Sequence, residues 1–250
     1  MLLLLCLFAF LAGFIDAMVG GGGLIQLPAF FILMPQLSLA QTLASNKTAS
    51  FFGTIVAAVR YLKRVKIEWK QLSLCIAAAF AGSMGGAFCV SYIRKEQFMP
   101  FIIGTLALVL CYTFFKKELG LHHIDKKLSK GRYYFYAAAV GIIIGFYDGL
   151  IGPGTGSFLI FAFVVLFGCN FLHASANAKL INCVTNLSAL SFFFIKGHIV
   201  WQIALPVAAA NMMGNYLGAQ FALKKGSAFI RIFFLVVVSV LILKLGWDYL

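Results

Sequence analysis

Two short stretches of the chain place an acidic residue before a cluster of glycines, inside strongly apolar sequence. The first, GFIDAMVGGGGLIQLP, spans residues 13–28, and Asp16 precedes its glycine run by four residues. The second, GFYDGLIGPGTGSFL, spans residues 145–159, and Asp148 lies at the same distance before Gly152. Glycine runs interrupt helices, and the free backbone N–H groups at a helix N-terminus bind anions. The pattern therefore predicts two broken helices that offer main-chain donors to an anion.

Each predicted broken segment is followed by a helix that carries a lysine among polar residues. Lys47 lies in TLASNKTAS, and Lys179 lies in ASANAKLINCVTN. A lysine within a membrane span costs about 2.5–3.5 kcal/mol on insertion scales, so it needs a partner or a path to water. Two interpretations stay open, because the ammonium groups either extend to the nearby interface or supply positive charge for an anion. On the second interpretation, the predicted substrate-binding residues are Gly20, Gly21, Gly22, Gly23, Gln26, Ser45, Asn46, Lys47, Gly152, Gly154, Thr155, Asn177, Lys179 and Asn182.

The two aspartates have three interpretations at the level of sequence. Asp16 and Asp148 form structural ion pairs with Lys47 and Lys179, or they carry a coupling proton, or they lie at a membrane interface without a specific role. A coupling role is chemically reasonable because an apolar site disfavours the ionised carboxylate. The glycines of the breaks have an alternative role in close helix packing. That packing role is the one predicted for Gly82, Gly85, Gly86, Gly214 and Gly218.

The composition identifies the kind of protein that holds these residues. Of the 250 residues, 62% are hydrophobic and only 11% are charged, with a mean hydropathy of +0.99. Such a chain is typical of an integral membrane protein, and its long apolar runs predict helices rather than a barrel of alternating strands. The net charge of +13 comes mainly from connectors such as 60–70 and 116–132. This is the pattern of cytoplasmic loops, so no nucleic-acid partner is predicted.

The sequence also aligns with itself when it is shifted by 132 positions. Asp16 then meets Asp148, Lys47 meets Lys179, and Trp69 meets Trp201. An internal duplication is therefore predicted. Its parts are a first repeat at 1–118, a basic connecting loop at 119–132 and a second repeat at 133–250.

Each predicted repeat consists of a broken or re-entrant helix and three transmembrane helices. The predicted segments are 1–35, 40–62, 71–93 and 97–115 in the first repeat, and 133–168, 172–195, 200–223 and 227–247 in the second. If the broken segments cross the membrane the halves are parallel, and if they dip in and return the halves are inverted. The segment 224–231 is more basic than 195–201. This difference favours inverted repeats under the positive-inside rule.

Other kinds of chemistry find little support in the sequence. The four histidines do not indicate a metal site, so no metal and no cofactor are predicted. No GxSxG or HExxH motif occurs, and no histidine lies in the broken segments. An intramembrane enzyme is therefore the weakest of the functional hypotheses.

The glycine-rich segments, together with TLASNKTASFFGT, NAKLINCVTNLSAL and KGHIVW, resemble those of the TauE/SafE family of membrane transporters, also called the sulfite exporter family. The resemblance covers nearly the whole chain. It implies a multi-pass protein of the inner cell membrane that moves small anions, often sulfite or organosulfur compounds, without ATP hydrolysis. On this chain the breaks at 20–23 and 152–156 match the family's most distinctive segments, and Asn46, Lys47 and Lys179 fall in the next ones.

The sequence therefore predicts a secondary transporter of a small anion such as sulfite, thiosulfate or a sulfonate. Alternating access is expected around a central site between the two broken helices. Coupling to either a proton or sodium stays open at this level. The main alternative is a non-transporting membrane scaffold or accessory subunit, which would tolerate changes at the lysines and the breaks.

Overall fold

The structure is a computed structural model that describes residues 1–90 and 129–249. Throughout this part of the chain the secondary structure is helical, without strands. The helices are α1 (Leu2–Val19), α2 (Gly23–Leu33), α3 (Leu39–Leu62), α4 (Trp69–Cys89), α5 (Lys130–Leu150), α6 (Thr155–Phe167), α7 (Phe171–Ile195) and α8 (Trp201–Tyr249). The predicted span 97–115 and most of the predicted connecting loop lie outside the described residues.

Local sequence explains where several of these helices begin and end. Ser38 starts α3 with a capping box, in which its hydroxyl accepts from the Gln41 N–H at 3.2 Å. Asn170, which is 132 positions later, caps α7 by accepting from the His173 N–H at 2.8 Å. Gly226 has a φ of 75° within α8, so α8 consists of two helices that meet at a kink. The predicted boundary between the last two spans lies at the same place.

Four helices in the described ranges are long and apolar enough to cross a membrane. They are α1, the Leu72–Cys89 portion of α4, α5 and α7. A span needs about 20 predominantly apolar residues, and these segments have 18 to 25. The prediction of an all-helical polytopic membrane protein is confirmed at this level.

The helices α1 and α2 form a hairpin that returns to the end of the molecule where it started. Leu5 near the start of α1 packs in one buried cluster with Phe30 and Leu33 near the end of α2. Val207 near the start of α8 belongs to the same cluster. The turn of this hairpin, at Gly20–Gly22, therefore lies away from that end.

The helices α5 and α6 form a second hairpin, which opens at the other end. The rings of Tyr133 and Phe167, near the two open ends of this hairpin, are 5.0 Å apart. Leu172, at the start of α7 just after α6 ends, lies with Arg60 and Lys63 at the end of α3. Because α3 begins near the open end of the first hairpin and finishes near that of the second, the two hairpins open at opposite ends.

Small residues allow each hairpin to pack closely on another helix. Gly214 and Gly218 of α8 lie against the backbone of Phe10 and Phe14 of α1, where an added methyl group would overlap main-chain atoms. On the other side, Gly82 and Gly86 of α4 make the same kind of contact with Ile142, Phe146 and Leu150 of α5. Such contacts are typical of helix packing in membranes. Gly85 is different, since its nearest neighbour is the Phe146 ring at 3.7 Å.

Candidate functional site

The two glycine breaks meet at the turns of the hairpins. A methyl group on Gly20 would overlap the backbone of Gly156, and one on Gly156 would overlap Gly20. The position of a Cβ on Gly23 would lie 3.2 Å from the Pro153 Cα. Gly20 also has a φ of 77°, in the left-handed region that favours glycine. Glycine is therefore required here both for the backbone conformation and for the contact between the two turns.

Two buried ion pairs lie beside this contact and connect the predicted halves. The Lys47 Nζ lies 2.8 Å from the Asp148 Oδ2, and the Lys179 Nζ lies 2.7 Å from the Asp16 Oδ2. Side-chain exposure is 3% and 2% in the first pair, and 0% and 13% in the second. The lysines thus contact aspartates rather than extend to an interface. Each lysine pairs with the aspartate of the other half, in a crossed arrangement.

The Asp16 carboxylate has a second donor in the first break. Its Oδ1 accepts from the Gly22 N–H at 3.4 Å. Gly22 is the N-cap of α2, and the N-terminus of a helix favours negative charge. Asp16 therefore already occupies, with its own carboxylate, the kind of position where an anion would bind.

Hydroxyl groups stabilise the broken end of α1. The side chains of Tyr61, Ser157 and Ser175 donate to the carbonyl oxygens of Ala17, Val19 and Met18, at 2.9, 2.8 and 3.3 Å. These carbonyls lie in the last turn of the helix, where the acceptors lack intrahelical partners. Satisfying them within the protein is needed if the break lies inside a membrane. This role of the three hydroxyls was not predicted from the sequence.

The second break is stabilised by its own side chains. The Thr155 hydroxyl donates to the Gly152 carbonyl at 2.7 Å, and the Tyr147 hydroxyl donates to the Pro153 carbonyl. The hydroxyl of Thr155 is therefore already engaged in the turn. This break is the more rigid of the two, because proline also fixes its own φ.

A small polar cavity of about 20 Å³ lies between the breaks and the ion pairs. This volume is sufficient for about one water molecule. Its lining includes eight residues singled out from the sequence, namely Asp16, Gly20, Gly23, Asn46, Lys47, Asp148, Gly152 and Asn182. Glycine backbone, amides, ammonium and carboxylate groups therefore converge at one point.

Other predicted site residues do not line the cavity. They are Gly21, Gly22, Gln26, Ser45, Gly154, Thr155, Asn177 and Lys179. Of these, Lys179 contacts the cavity residue Asp16 directly. Gln26 is engaged elsewhere, since its Oε1 accepts from the Asn211 Nδ2 at 2.7 Å. Asn177 lies near the Cys169 sulfur, with 3.9 Å between the Nδ2 and the Sγ.

Three lining residues were absent from the predicted set, namely Ser50, Gly156 and Asn186. Two of them carried a usable signal, because Ser50 and Asn186 follow Asn46 and Asn182 by four residues on their helices. Residues with this spacing share a helix face. Gly156 carried no such signal, since its counterpart in the first half is Leu24.

Comparisons with known proteins agree with this description. The sequence model of the family described as "Sulfite exporter TauE/SafE" matches residues 5–245. The chain is 35% identical over 243 residues to "Probable membrane transporter protein YfcA" of Escherichia coli (strain K12), with 96% of this chain and 87% of that protein covered. It is 33% identical to a "Probable membrane transporter protein" of Haemophilus influenzae, with 96% and 92% covered.

A more distant relative is "Probable membrane transporter protein YunE" of Bacillus subtilis, at 25% identity over 86% of both chains. No solved structure matches the chain. The family match extends over nearly all the helices described above, including both hairpins and both ion pairs. The chain belongs to the TauE/SafE family of membrane transporters.

Proposed function

We propose that the chain is a secondary transporter of a small anion, such as sulfite, thiosulfate, a sulfonate or a related organosulfur anion. The observation that carries this proposal is the crossed pairing of Lys47 with Asp148 and of Lys179 with Asp16 beside two touching glycine breaks. Buried lysines within membrane spans mark substrate or ion pathways by default. The family description supports a sulfur oxyanion as the first substrate class to test.

In this proposal, the aspartates occupy the positions that a transported anion would take. The Lys179 ammonium and the Gly22 N–H both donate to Asp16, one to each carboxylate oxygen. A sulfur oxyanion presents several acceptor oxygens and can therefore accept from the same donors. Asn46 and Asn182 line the same cavity and can donate from their amides. The anion thus competes with the carboxylates for the lysines rather than meeting free positive charge.

We also propose that the anion moves together with a proton. Two lysines and two aspartates give the site no net charge, so a monovalent anion such as a sulfonate that enters alone leaves one buried negative charge, and a divalent anion such as thiosulfate leaves two. An uncompensated charge in a low-dielectric site is costly. A proton bound by Asp16 or Asp148 compensates one of these charges and also frees a lysine for the anion, and a divalent anion requires a proton on each aspartate. Sodium is the alternative cation, and the transport assay distinguishes the two.

Alternating access is the proposed mechanism because the cavity is nearly closed. A volume of about 20 Å³ admits roughly one water molecule and no oxyanion. Entry therefore requires that the two hairpin turns separate on one side of the site. The hairpins open at opposite ends of the molecule, so each turn is suited to gate one side.

This arrangement fits a pair of inverted repeats in a cell membrane, and for a bacterial protein that is the inner membrane. Residues related by the 132-position shift make related contacts, with Gly82 and Gly86 of α4 on α5 and their counterparts Gly214 and Gly218 of α8 on α1. Inverted repeats with discontinuous helices at the substrate site are a common transporter design. These contacts support the predicted duplication and the inverted orientation.

Transport by the purified protein in liposomes tests the proposal. We expect saturable uptake of at least one anion from a panel of sulfite, thiosulfate, sulfoacetate and sulfate. We expect an imposed proton gradient to change the rate at constant sodium concentration. Saturable flux that responds to sodium and not to protons would overturn the coupling proposal. Absence of saturable flux for every anion would favour the scaffold alternative.

A further inference from the structure

A second cavity lies at the end of the molecule where α3 finishes. Its volume is about 580 Å³, and its polar lining includes four basic residues, namely Arg60, Lys63, Arg64 and Lys224. It shares no lining residue with the small cavity between the glycine breaks. The size is within the range of ordinary ligand sites. This basic cavity is therefore separate from the proposed transport site.

The arginine at the edge of this cavity has donors that no described group satisfies. The Arg60 guanidinium stacks on the Tyr216 ring, with its carbon 3.6 Å from the ring centroid. Its Nε and Nη2 are shielded from solvent and have no hydrogen-bond partner among the described residues. Buried donors of a charged group are normally paired. Arg60 nevertheless lines the cavity, so its positive charge is available to an anion there.

The basic residues also lack acidic partners in the described part of the chain. The ion pairs found between residues 1–90 and 129–249 are those of Lys47 and Lys179. Position at a helix C-terminus accounts for some positive charge at the end of α3, because cations stabilise the helix dipole there. It does not account for Lys224, which comes from α8 and faces the same cavity. Charges from two helices thus converge on one space.

The walls of the cavity indicate that the anion is part of a larger amphipathic molecule. Leu172 and Leu223 contribute apolar surface to the lining. Tyr216 and Leu217, about two turns before Lys224 on α8, are 46% and 39% exposed. They lie deeper along the helix than Lys224, and the Tyr216 ring contacts the Arg60 guanidinium. A ligand with an anionic head and apolar chains would contact the basic group with its head and this exposed surface with its chains.

We propose that this cavity binds the phosphate headgroup of an anionic membrane lipid. The loop 60–70 is strongly basic, which places this end of the molecule on the cytoplasmic side. Anionic lipids are enriched in the cytoplasmic leaflet, and basic pockets between helices bind their headgroups. The phosphate is held by the combined positive charge of Arg60, Lys63, Arg64 and Lys224, which line the cavity.

Native mass spectrometry of the purified full-length protein tests this site. We expect phosphatidylglycerol to remain bound at concentrations where phosphatidylcholine is lost. The double variant Arg60→Gln/Lys224→Gln should bind phosphatidylglycerol about thirtyfold more weakly, because about 1 kcal/mol is lost for each charge near the lipid. The matched control is Lys66→Gln/Lys70→Gln, which removes two exposed charges of the same loop outside the cavity, and it should bind as the original protein does.

Three results would overturn the proposal. The first is equal retention of the two lipids, and the second is equal weakening in both double variants, which would indicate general surface charge. The third is displacement of the lipid by millimolar glycerol 3-phosphate, which would indicate a site for a free phosphate anion. If Arg60→Gln/Lys224→Gln does not fold, Lys63→Gln/Arg64→Gln serves instead, since both of these side chains are exposed.

Discussion

At the scale of single residues, the central feature is that the two buried lysines are already neutralised. Lys47 and Lys179 each contact an aspartate within 2.8 Å. A buried pair contributes little net stability, but removing one partner leaves an isolated charge and costs about 3–5 kcal/mol. The pairs therefore restrict which substitutions the site tolerates. An anion that binds a lysine must displace the paired carboxylate, or that carboxylate must take up a proton.

Replacing Lys47 by methionine should strongly destabilise the protein. Lys47→Met leaves the Asp148 carboxylate, whose side chain is 2% exposed, without its partner, and we expect a loss of about 3–5 kcal/mol. Adding Asp148→Asn should recover most of that loss, because no buried charge remains. Thermal unfolding in detergent, followed by tryptophan fluorescence, measures both effects. Additive losses in the two single variants and the double variant would show that the pair is not energetically coupled.

The same change in the other pair should have a smaller effect. Lys179→Met leaves Asp16, which is 13% exposed and still accepts from the Gly22 N–H. Both features reduce the cost of the remaining charge. The melting temperature of Lys179→Met should therefore exceed that of Lys47→Met. The reverse order would contradict the different environments assigned to the two aspartates.

The sequence predicted ion pairs between the two aspartates and the two lysines as one interpretation. It gave no reason to expect that each lysine contacts the aspartate of the other repeat. The structure pairs Lys47 with Asp148 and Lys179 with Asp16. This crossing depends on how the two hairpins approach each other, which is a property of tertiary packing. Gly156 was missed for the same reason, because its role is the contact with Gly20.

At the scale of helices and turns, the contact between the two breaks should not accept a side chain. Gly20→Ala introduces a methyl group at a φ of 77° and against the backbone of Gly156. We expect a loss of roughly 2–4 kcal/mol, from the left-handed conformation and from overpacking, together with loss of transport. Gly131→Ala is the control, since no atom lies within 4 Å of its added methyl group. Unchanged melting and flux in Gly20→Ala would refute the proposed contact.

Two adjacent glycines of α4 provide a test of the helix packing. A methyl group on Gly86 would overlap the backbone of Phe146, whereas one on Gly85 would meet only the Phe146 ring at 3.7 Å. Gly86→Ala should cost about 1–3 kcal/mol, and Gly85→Ala should be neutral or slightly stabilising because alanine favours helix. Thermal unfolding of both variants measures the difference. Equal melting temperatures would show that α4 and α5 do not pack through Gly86.

Helix positions were more predictable than helix arrangement. The predicted spans 40–62 and 172–195 differ by one residue at their starts from the observed Leu39–Leu62 and Phe171–Ile195. These limits are local features of the sequence, because each apolar run is bounded by a capping residue, Ser38 or Asn170, or by glycines. The prediction of which way each hairpin opens depended on a few loop charges in the sequence. In the structure the direction follows from which helix ends lie together, with Leu5 beside Phe30 in the first hairpin and Leu172 beside the end of α3 in the second.

At the scale of the whole molecule, the inverted arrangement predicts which chain ends and loops share a side of the membrane. Lys63 and Lys130 are exposed and lie at the basic end, whereas Gln36 and Lys196 are exposed and lie at the other end. Single cysteines at these positions should react with an impermeant maleimide in spheroplasts only at 36 and 196. Permeabilisation should then expose 63 and 130, with the unsubstituted protein as the background control. Labelling of 196 only after permeabilisation would contradict the inverted arrangement, because parallel repeats place 195–201 on the inside.

The most direct test of the account is anion flux through a variant that lacks one crossed pair but keeps its fold. Lys47→Met/Asp148→Asn removes both buried charges, and Lys196→Met removes one exposed charge at the far end. Both proteins are reconstituted with the anion that the original protein transports, and saturable counterflow is measured. We predict normal counterflow in Lys196→Met and a loss of at least about 100-fold in the paired variant, as expected when a buried charge-assisted contact to the anion is removed. Equal counterflow in the two folded variants would show that the crossed pairs do not bind the transported anion.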